Sequence, residues 1–226
     1  MLNMKRNLQK TLFSFRSLWW LLTLSFLTAC STVHRLPTTP NIYNADSPYP
    51  AQSIATVNQD TTSKVFYITD RQPMPDVDGN LNYSGARSPS MAFGEATIEF
   101  GKDLSWDELA AISHMQSDRP SVKTKIKSLD EINRFPATPL VFSMGPSGIV
   151  VDPDQKRDYG QSISVLQETL AARLKATNQK DVILYVHGFN NSFENAVLDI
   201  NDVWHFTGRH GVPIAYTWPS GSGNLL

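Results

Sequence analysis

The apolar positions of this chain change rhythm along its length, and the clearest rhythm lies near the C-terminal end. Val182 to Val186 is an unbroken run of β-branched, aliphatic and aromatic residues, the pattern of a strand buried on both faces of a parallel sheet. His187-Gly188 closes the run. Asn190, Asn191 and Ser192 then supply helix-start chemistry, with Asn191 as the cap and Glu194 completing a capping box. Phe193, Ala196, Val197, Ile200, Val203, Trp204 and Thr207 recur at helical spacing, and Gly208 suits the stop. Val212 to Trp218 reads as a second strand, so the whole is a βαβ unit. Before it, Ile163, Leu166, Leu170 and Leu174 mark one face of an amphipathic helix over 163–175 that packs on the sheet.

Upstream the periods are shorter. Val65 to Thr69 is a strand, followed by a turn cluster at Pro73, Pro75, Asp76 and Asp78-Gly79-Asn80. Ala96, Ile98 and Phe100 alternate with Thr97 and Glu99, as in a half-buried antiparallel or edge strand. Asp70 and Arg71 between them read as a salt-bridged strand end rather than as substrate contacts. Ser105 and Glu108 form a capping box for a short helix to about Met115. Val122, Thr124 and Ile126 alternate with Lys123, Lys125 and Lys127, an exposed edge strand guarded by lysines. Ser128 and Glu131 suggest another cap, and Leu140 to Met144 a short strand before a Gly145-Gly148 turn. His114 stands alone and reads as a surface residue. Residues 31–62 show neither period and carry Pro37, Pro40, Pro48 and Pro50, as a semi-extended tether would, with Tyr43, Tyr49 and Ile54 able to dock on the domain.

Composition narrows the class. With 41% hydrophobic and 18% charged residues and a net charge of −1, the chain has enough apolar content for one core and no basic excess to attract nucleic acid. Residues 1–16 carry Lys5, Arg6, Lys10 and Arg16 and no acid; the apolar segment 17–29 that follows has signal-peptide order and is short for a membrane span. It ends in Leu27-Thr28-Ala29-Cys30, which resembles a bacterial lipobox, and Cys30 is the single cysteine. The expectation is a signal peptide over 1–29, lipid on Cys30, a tether over 30–62 and a domain over 63–226. Ser31 after the cysteine resembles an outer-membrane sorting signal, which places the domain in the bacterial envelope, facing the periplasm. Loss of the leader leaves 16 basic against 21 acidic residues, so acyl chains and not charge hold the chain to its membrane partner.

The run His187-Gly-Phe-Asn-Asn-Ser-Phe-Glu194, its helix, and a strand ending Thr217-Trp-Pro-Ser220 resemble the α/β-hydrolase family of unknown function called DUF900. Val65 to Arg71 and the Arg87-to-Gly94 segment resemble the N-terminal part of the same family. The resemblance spans roughly 63–226 and is densest at 65–101 and 181–220. It implies an α/β fold: the N-terminal part of an α/β-hydrolase, incomplete, with a mostly parallel sheet, antiparallel leading strands and flanking helices. It also implies carboxylic-ester substrates and an oxyanion-hole loop at His187, Gly188, Phe189 and Asn190, with the donating amide at Phe189 or Asn190. Gly188 would admit the substrate and His187 would hold the turn. Acyl transfer builds charge on a carbonyl oxygen, which preorganised N–H groups meet.

A serine elbow needs Gly-x-Ser-x-Gly between strand and helix. Gly160-Gln-Ser162, Gly145-Pro-Ser147 and the serines of 220–222 all fail that pattern. The expected nucleophile, acid and base are thus missing from the chain as given, which is read as truncated before the elbow, inactive as it stands, and left with an exposed sheet edge at Val212–Trp218. His205 and His210 read as exposed positions around the helix end. The alternatives are a non-catalytic envelope lipoprotein that binds or scaffolds, or an interrupted reading frame. No metal-ligand spacing or nucleotide motif occurs, so no cofactor is expected.

Overall fold

A computed structural model describes residues 33–221; Cys30 and the leader lie outside the described residues. Two long strands lead the domain. β1 (Thr62–Pro73) and β2 (Tyr83–Phe100) pair antiparallel, and β3 (Thr124–Arg134) adds antiparallel to β2. Between β2 and β3 runs α1 (Trp106–His114), which carries the expected capping box of Ser105 and Glu108. A two-stranded hairpin, β4 (Phe142–Gly145) and β5 (Gly148–Val151), precedes α2 (Pro153–Ala176). Then come β6 (Val182–Val186), α3 (Phe193–Phe206) and β7 (Val212–Thr217). The main sheet has the order β3-β2-β1-β7-β6, with β1, β7 and β6 mutually parallel.

The strand period of two sorts the core onto two faces. Val65, Tyr67, Ala96, Ile98 and Ala215 face α3, which offers Phe193, Val197, Leu198 and Ile200. Phe66, Phe93, Val212 and Ile214 face α2 through Leu166, Leu170 and Leu174. The result is a mixed five-stranded sheet flanked by helices, an α/β fold. The glycine of the Arg87-to-Gly94 segment has a steric cause. A Cβ on Gly94 would lie 2.2 Å from the Tyr67 hydroxyl oxygen and 2.4 Å from the Asp130 carbonyl, where β2 bulges against β3.

The sheet corrects four expectations. β7 is not an edge, since it lies between β1 and β6. At that end of the sheet the strand without a second neighbour among the described residues is β6, and it is not buried on both faces: Val182, Leu184 and Val186 are 43%, 57% and 55% exposed. The strand predicted at 96–100 is antiparallel and half-buried, as read, but it is the end of an 18-residue strand inside the sheet and not an edge. Strand β3 is the lysine-bearing edge, as expected, but it continues through Ser128 and Glu131, which therefore cap no helix.

From His34 on, the residues expected to act as a flexible tether are packed on the domain. Leu36, Tyr43, Tyr49 and Ile54 are buried with Phe100, Leu109, Ile112, Val122 and Phe206 in a second core. Two buried polar devices fix this segment. Arg209, 2% exposed, donates from Nη1 to the Asn58 and Asp60 carbonyls (both 2.7 Å) and from Nε to His205 Nδ1 (3.1 Å). Its guanidinium lies over Phe100, Trp106 and Trp204, and burial pushes its pKa down to about 10. At the other end His34 pairs with Asp202 at 2.7 Å.

Helix α3 ends in a full Schellman closure. Gly208, at φ +83°, donates to His205 O, and Arg209 N–H donates to Trp204 O. At its start the cap is Ser192 and not Asn191: the Ser192 hydroxyl accepts from Asn195 N–H. Asn191 is held elsewhere, in the loop described next.

Candidate active site

The parallel strands β1, β6 and β7 deliver their C-terminal ends to one place, where open α/β sheets hold ligands. There β6 runs into His187-Gly188-Phe189-Asn190-Asn191, β7 into Trp218-Pro219-Ser220, and β1 into Arg71. His187 is 3% exposed. Its ring lies parallel to the Trp218 ring at 5.5 Å, and the Trp218 indole N–H donates to the His187 carbonyl at 2.9 Å. His187 Nδ1 lies 2.7 Å from the Gly188 carbonyl, and Nε2 lies 3.5 Å from Arg71 Nη2. Both contacts fit one neutral tautomer, with Nδ1 donating and Nε2 accepting. The imidazole is thereby committed to the turn.

Ser220 stitches the loop. Asn190 N–H donates to the Ser220 carbonyl (3.1 Å), Asn191 N–H donates to Ser220 Oγ (3.1 Å), and that hydroxyl donates to the Asn191 carbonyl (3.0 Å). Asn190 adopts φ +58°, a left-handed conformation that asparagine tolerates better than most residues. The Asn191 side chain donates to Asp199, which also accepts from Tyr185. The loop therefore spends the Asn190 and Asn191 amides internally. The Gly188 and Phe189 amides have no acceptor among the described residues, the Phe189 side chain is 67% exposed, and a Cβ on Gly188 would meet nothing within 4 Å.

Arg71 departs from the salt-bridged strand end read from the sequence. Asp70 does pair, with Arg87. Arg71 is instead 1% exposed, donates to the Asn191 carbonyl at 2.7 Å and the Ser84 carbonyl at 3.3 Å, and leaves Nε without a partner. Burial lowers its pKa, partly offset by Asp70. Its amide donates to Thr69 Oγ1, whose hydroxyl donates to the Thr217 carbonyl. A buried, positively charged guanidinium thus supports the loop from behind. Nothing in the spacing of Arg71 and His187, 116 positions apart, shows this contact; only the strand order does.

The remaining candidates lie apart. His205, expected at the surface, is fully buried: its Nε2 is 2.7 Å from Ser113 Oγ, and burial together with Arg209 lowers its pKa well below the ordinary value. His114 is half-buried and accepts weakly from the Tyr49 amide. Ser162 and Ser164 sit within α2, each hydroxyl donating to a carbonyl four residues back. Ser147 is in the β4–β5 turn. Among the described residues no cluster of histidine, cysteine or acidic side chains could hold a metal, and no helix is long and apolar enough to cross a membrane.

No curated protein and no solved structure matches the chain. A family match covers residues 163–226, which takes in most of α2 and all of the β6-loop-α3-β7 unit; the motifs at 65–71 and 87–94 lie outside it. Residues 163–226 are thus similar to the family described as alpha/beta hydrolase of unknown function (DUF900), and the sheet they build with β1 to β3 is an α/β fold.

Proposed function

We propose that this chain contributes the oxyanion-binding side of an esterase-like α/β-hydrolase and is held in the bacterial envelope by lipid on Cys30. The observation that carries the first part is the loop His187–Asn191. Three side chains, Arg71, Trp218 and Ser220, hold it rigid, two of its amides are consumed in doing so, and the Phe189 amide is left to donate. Such a preorganised N–H stabilises a developing oxyanion without reorganising as the reaction proceeds. His187 holds the turn, and the half-turn at Gly188 presents no side chain to a substrate.

The attacking groups are not supplied by residues 33–221. Ser220 is 2% exposed, its hydroxyl is engaged with Asn191, and His187 Nε2 faces Arg71 and not Ser220. No Ser–His pair here meets a third orienting carboxylate in the manner of a triad. The expected outcome with a fluorophosphonate probe is that the 226-residue chain shows no labelled serine among residues 33–221 by peptide mass spectrometry. Stoichiometric labelling of Ser220, or of any other serine in that range, would overturn the assignment. Metabolic labelling with an alkynyl fatty acid tests the anchor separately: the label is expected on Cys30 and should vanish in Cys30→Ser.

A further inference from the structure

The β4–β5 hairpin has no core of its own. Val141, Phe142, Met144, Ile149 and Val150 are 59%, 53%, 76%, 67% and 49% exposed. Phe142 pairs across the ladder with Val151 and Met144 with Ile149, so these lie on one face. Val150 points to the other, which it shares with the uncharged Ser143. No charged residue occurs between Leu140 and Val151. The hairpin is joined to the domain by a few polar contacts: Asp152 N–H to the Val141 carbonyl, Val141 N–H to Gln155, and Thr138 N–H to the Pro89 carbonyl. A lone two-stranded hairpin is at best marginal in water, and this one exposes its apolar side chains in both directions.

We propose that the hairpin is a second, shallow membrane contact that dips into the lipid bilayer surface to which the chain is anchored; this rests on the lipid-anchor reading above. Two observations choose a bilayer over a protein partner. A protein docks one face of a hairpin and meets it with a polar rim, whereas hydrocarbon accepts both faces and the uncharged tip. The anchor is also close at hand. Only residues 31–33 separate Cys30 from His34, where the chain is packed on the domain. That is at most about 14 Å of extended chain, and no long tether lets the domain stand away from the membrane.

Strand β3 connects the two contacts. Arg35 bridges Lys123 at its beginning, and the chain leaves its far end at Arg134 for the hairpin. Its 11 residues span roughly 35 Å. A domain lying with this edge along the bilayer brings anchor and hairpin to the same surface. The insertion does not depend on anionic lipid, because the hairpin carries no charge.

The test uses the full acylated chain carrying Met144→Cys, labelled with the environment-sensitive dye NBD and reconstituted into phosphatidylcholine vesicles. Acylated Cys30 has no free thiol, so a single label per chain is itself a check on the anchor. The expected result is co-flotation with the vesicles, a blue-shifted emission, and quenching by doxyl-labelled lipids; Ile149→Asp in the same chain should return the emission toward that in water. Co-flotation with water-like, unquenched emission would overturn the hairpin contact and leave the anchor reading intact. Absence of co-flotation, with two labels per chain, would overturn both.

Discussion

Arg209→Ala tests whether residues 34–60 are part of the domain or an appendage to it. The substitution removes three hydrogen bonds, to Asn58 O, Asp60 O and His205 Nδ1, and the stacking of a cation between Phe100, Trp106 and Trp204. Hydrogen bonds to a charged group are worth about 1.5–3 kcal/mol each. Against that stands the cost of burying the guanidinium, whose Nη2 has no partner and whose lowered pKa reports the same desolvation. Removing one member of such a buried arrangement typically costs about 3–5 kcal/mol, because the acceptors left behind stay buried. For a domain of this size about 1 kcal/mol corresponds to about 2–4 °C, so Tm should fall by roughly 10 °C. Arg209→Met keeps part of the apolar stem and should lose less. Thermal unfolding read by circular dichroism gives the shift, and limited proteolysis gives its location: cleavage should rise first within 50–60. A Tm within about 2 °C of the parent, with that segment still resistant, would refute the reasoning.

Three other outcomes follow from the packing and the charges. The His34 pKa is raised, first by its hydrogen bond to Asp202, and the Asp202 pKa is raised by burial, against the pull of His34. In both cases the folded state holds the proton more tightly than the unfolded chain, so the pair's stabilisation declines as pH rises. His34's share is complete below its ordinary value of 6.5 and is lost as pH climbs through the higher folded value; melting from pH 5.5 to 8.5 should show this slope, and Asp202→Asn should flatten it. Gly94→Ala forces a Cβ into Tyr67 and the Asp130 carbonyl and should cost about 3 kcal/mol or more, read by urea unfolding. Ser220→Ala removes both side-chain bonds to Asn191 and should cost about 1–2 kcal/mol, with the added effect that loop amides at 190 and 191 exchange faster while core amides do not.

The parts of the fold that were legible are those with a local cause. The capping box at Ser105, the Leu166-Leu170-Leu174 stripe, the Gly208 stop and the lysine-edged strand each write their structure within a few residues. Strand order is not local. Val182–Val186 has the apolar run of an interior strand, yet it lies at the end of the sheet, because β7 inserts between it and β1. The proline-rich segment 34–60 looks like a tether because its buried residues are sparse and aperiodic; they pack one by one into gaps around α1 rather than as a face. His205 looks exposed in the sequence for a related reason. Its helical position lies beside the apolar stripe, and Tyr49, Phe100 and Ser113 from distant segments cover it.

The candidate site divides the same way. The strand-His-Gly-loop-helix pattern pointed to residues 187–190, and the structure gathers them at the end of the parallel strands. Arg71 and Ser220 were not recognised as supports of the loop, since Arg71 arrives through β1 and Ser220 through β7. The choice between the Phe189 and Asn190 amides also depends on a single long-range bond, from Asn190 to the Ser220 carbonyl.

That bond makes the account's central claim measurable. Residue-resolved amide exchange by NMR on the ¹⁵N-labelled chain reads the three loop amides side by side. The Asn190 and Asn191 amides are expected to be protected by Ser220, while Phe189 exchanges as a free amide held in a rigid loop. A protected Phe189 amide, or fast exchange at Asn190, would contradict the claim that this loop is built to offer Phe189 N–H to an oxyanion.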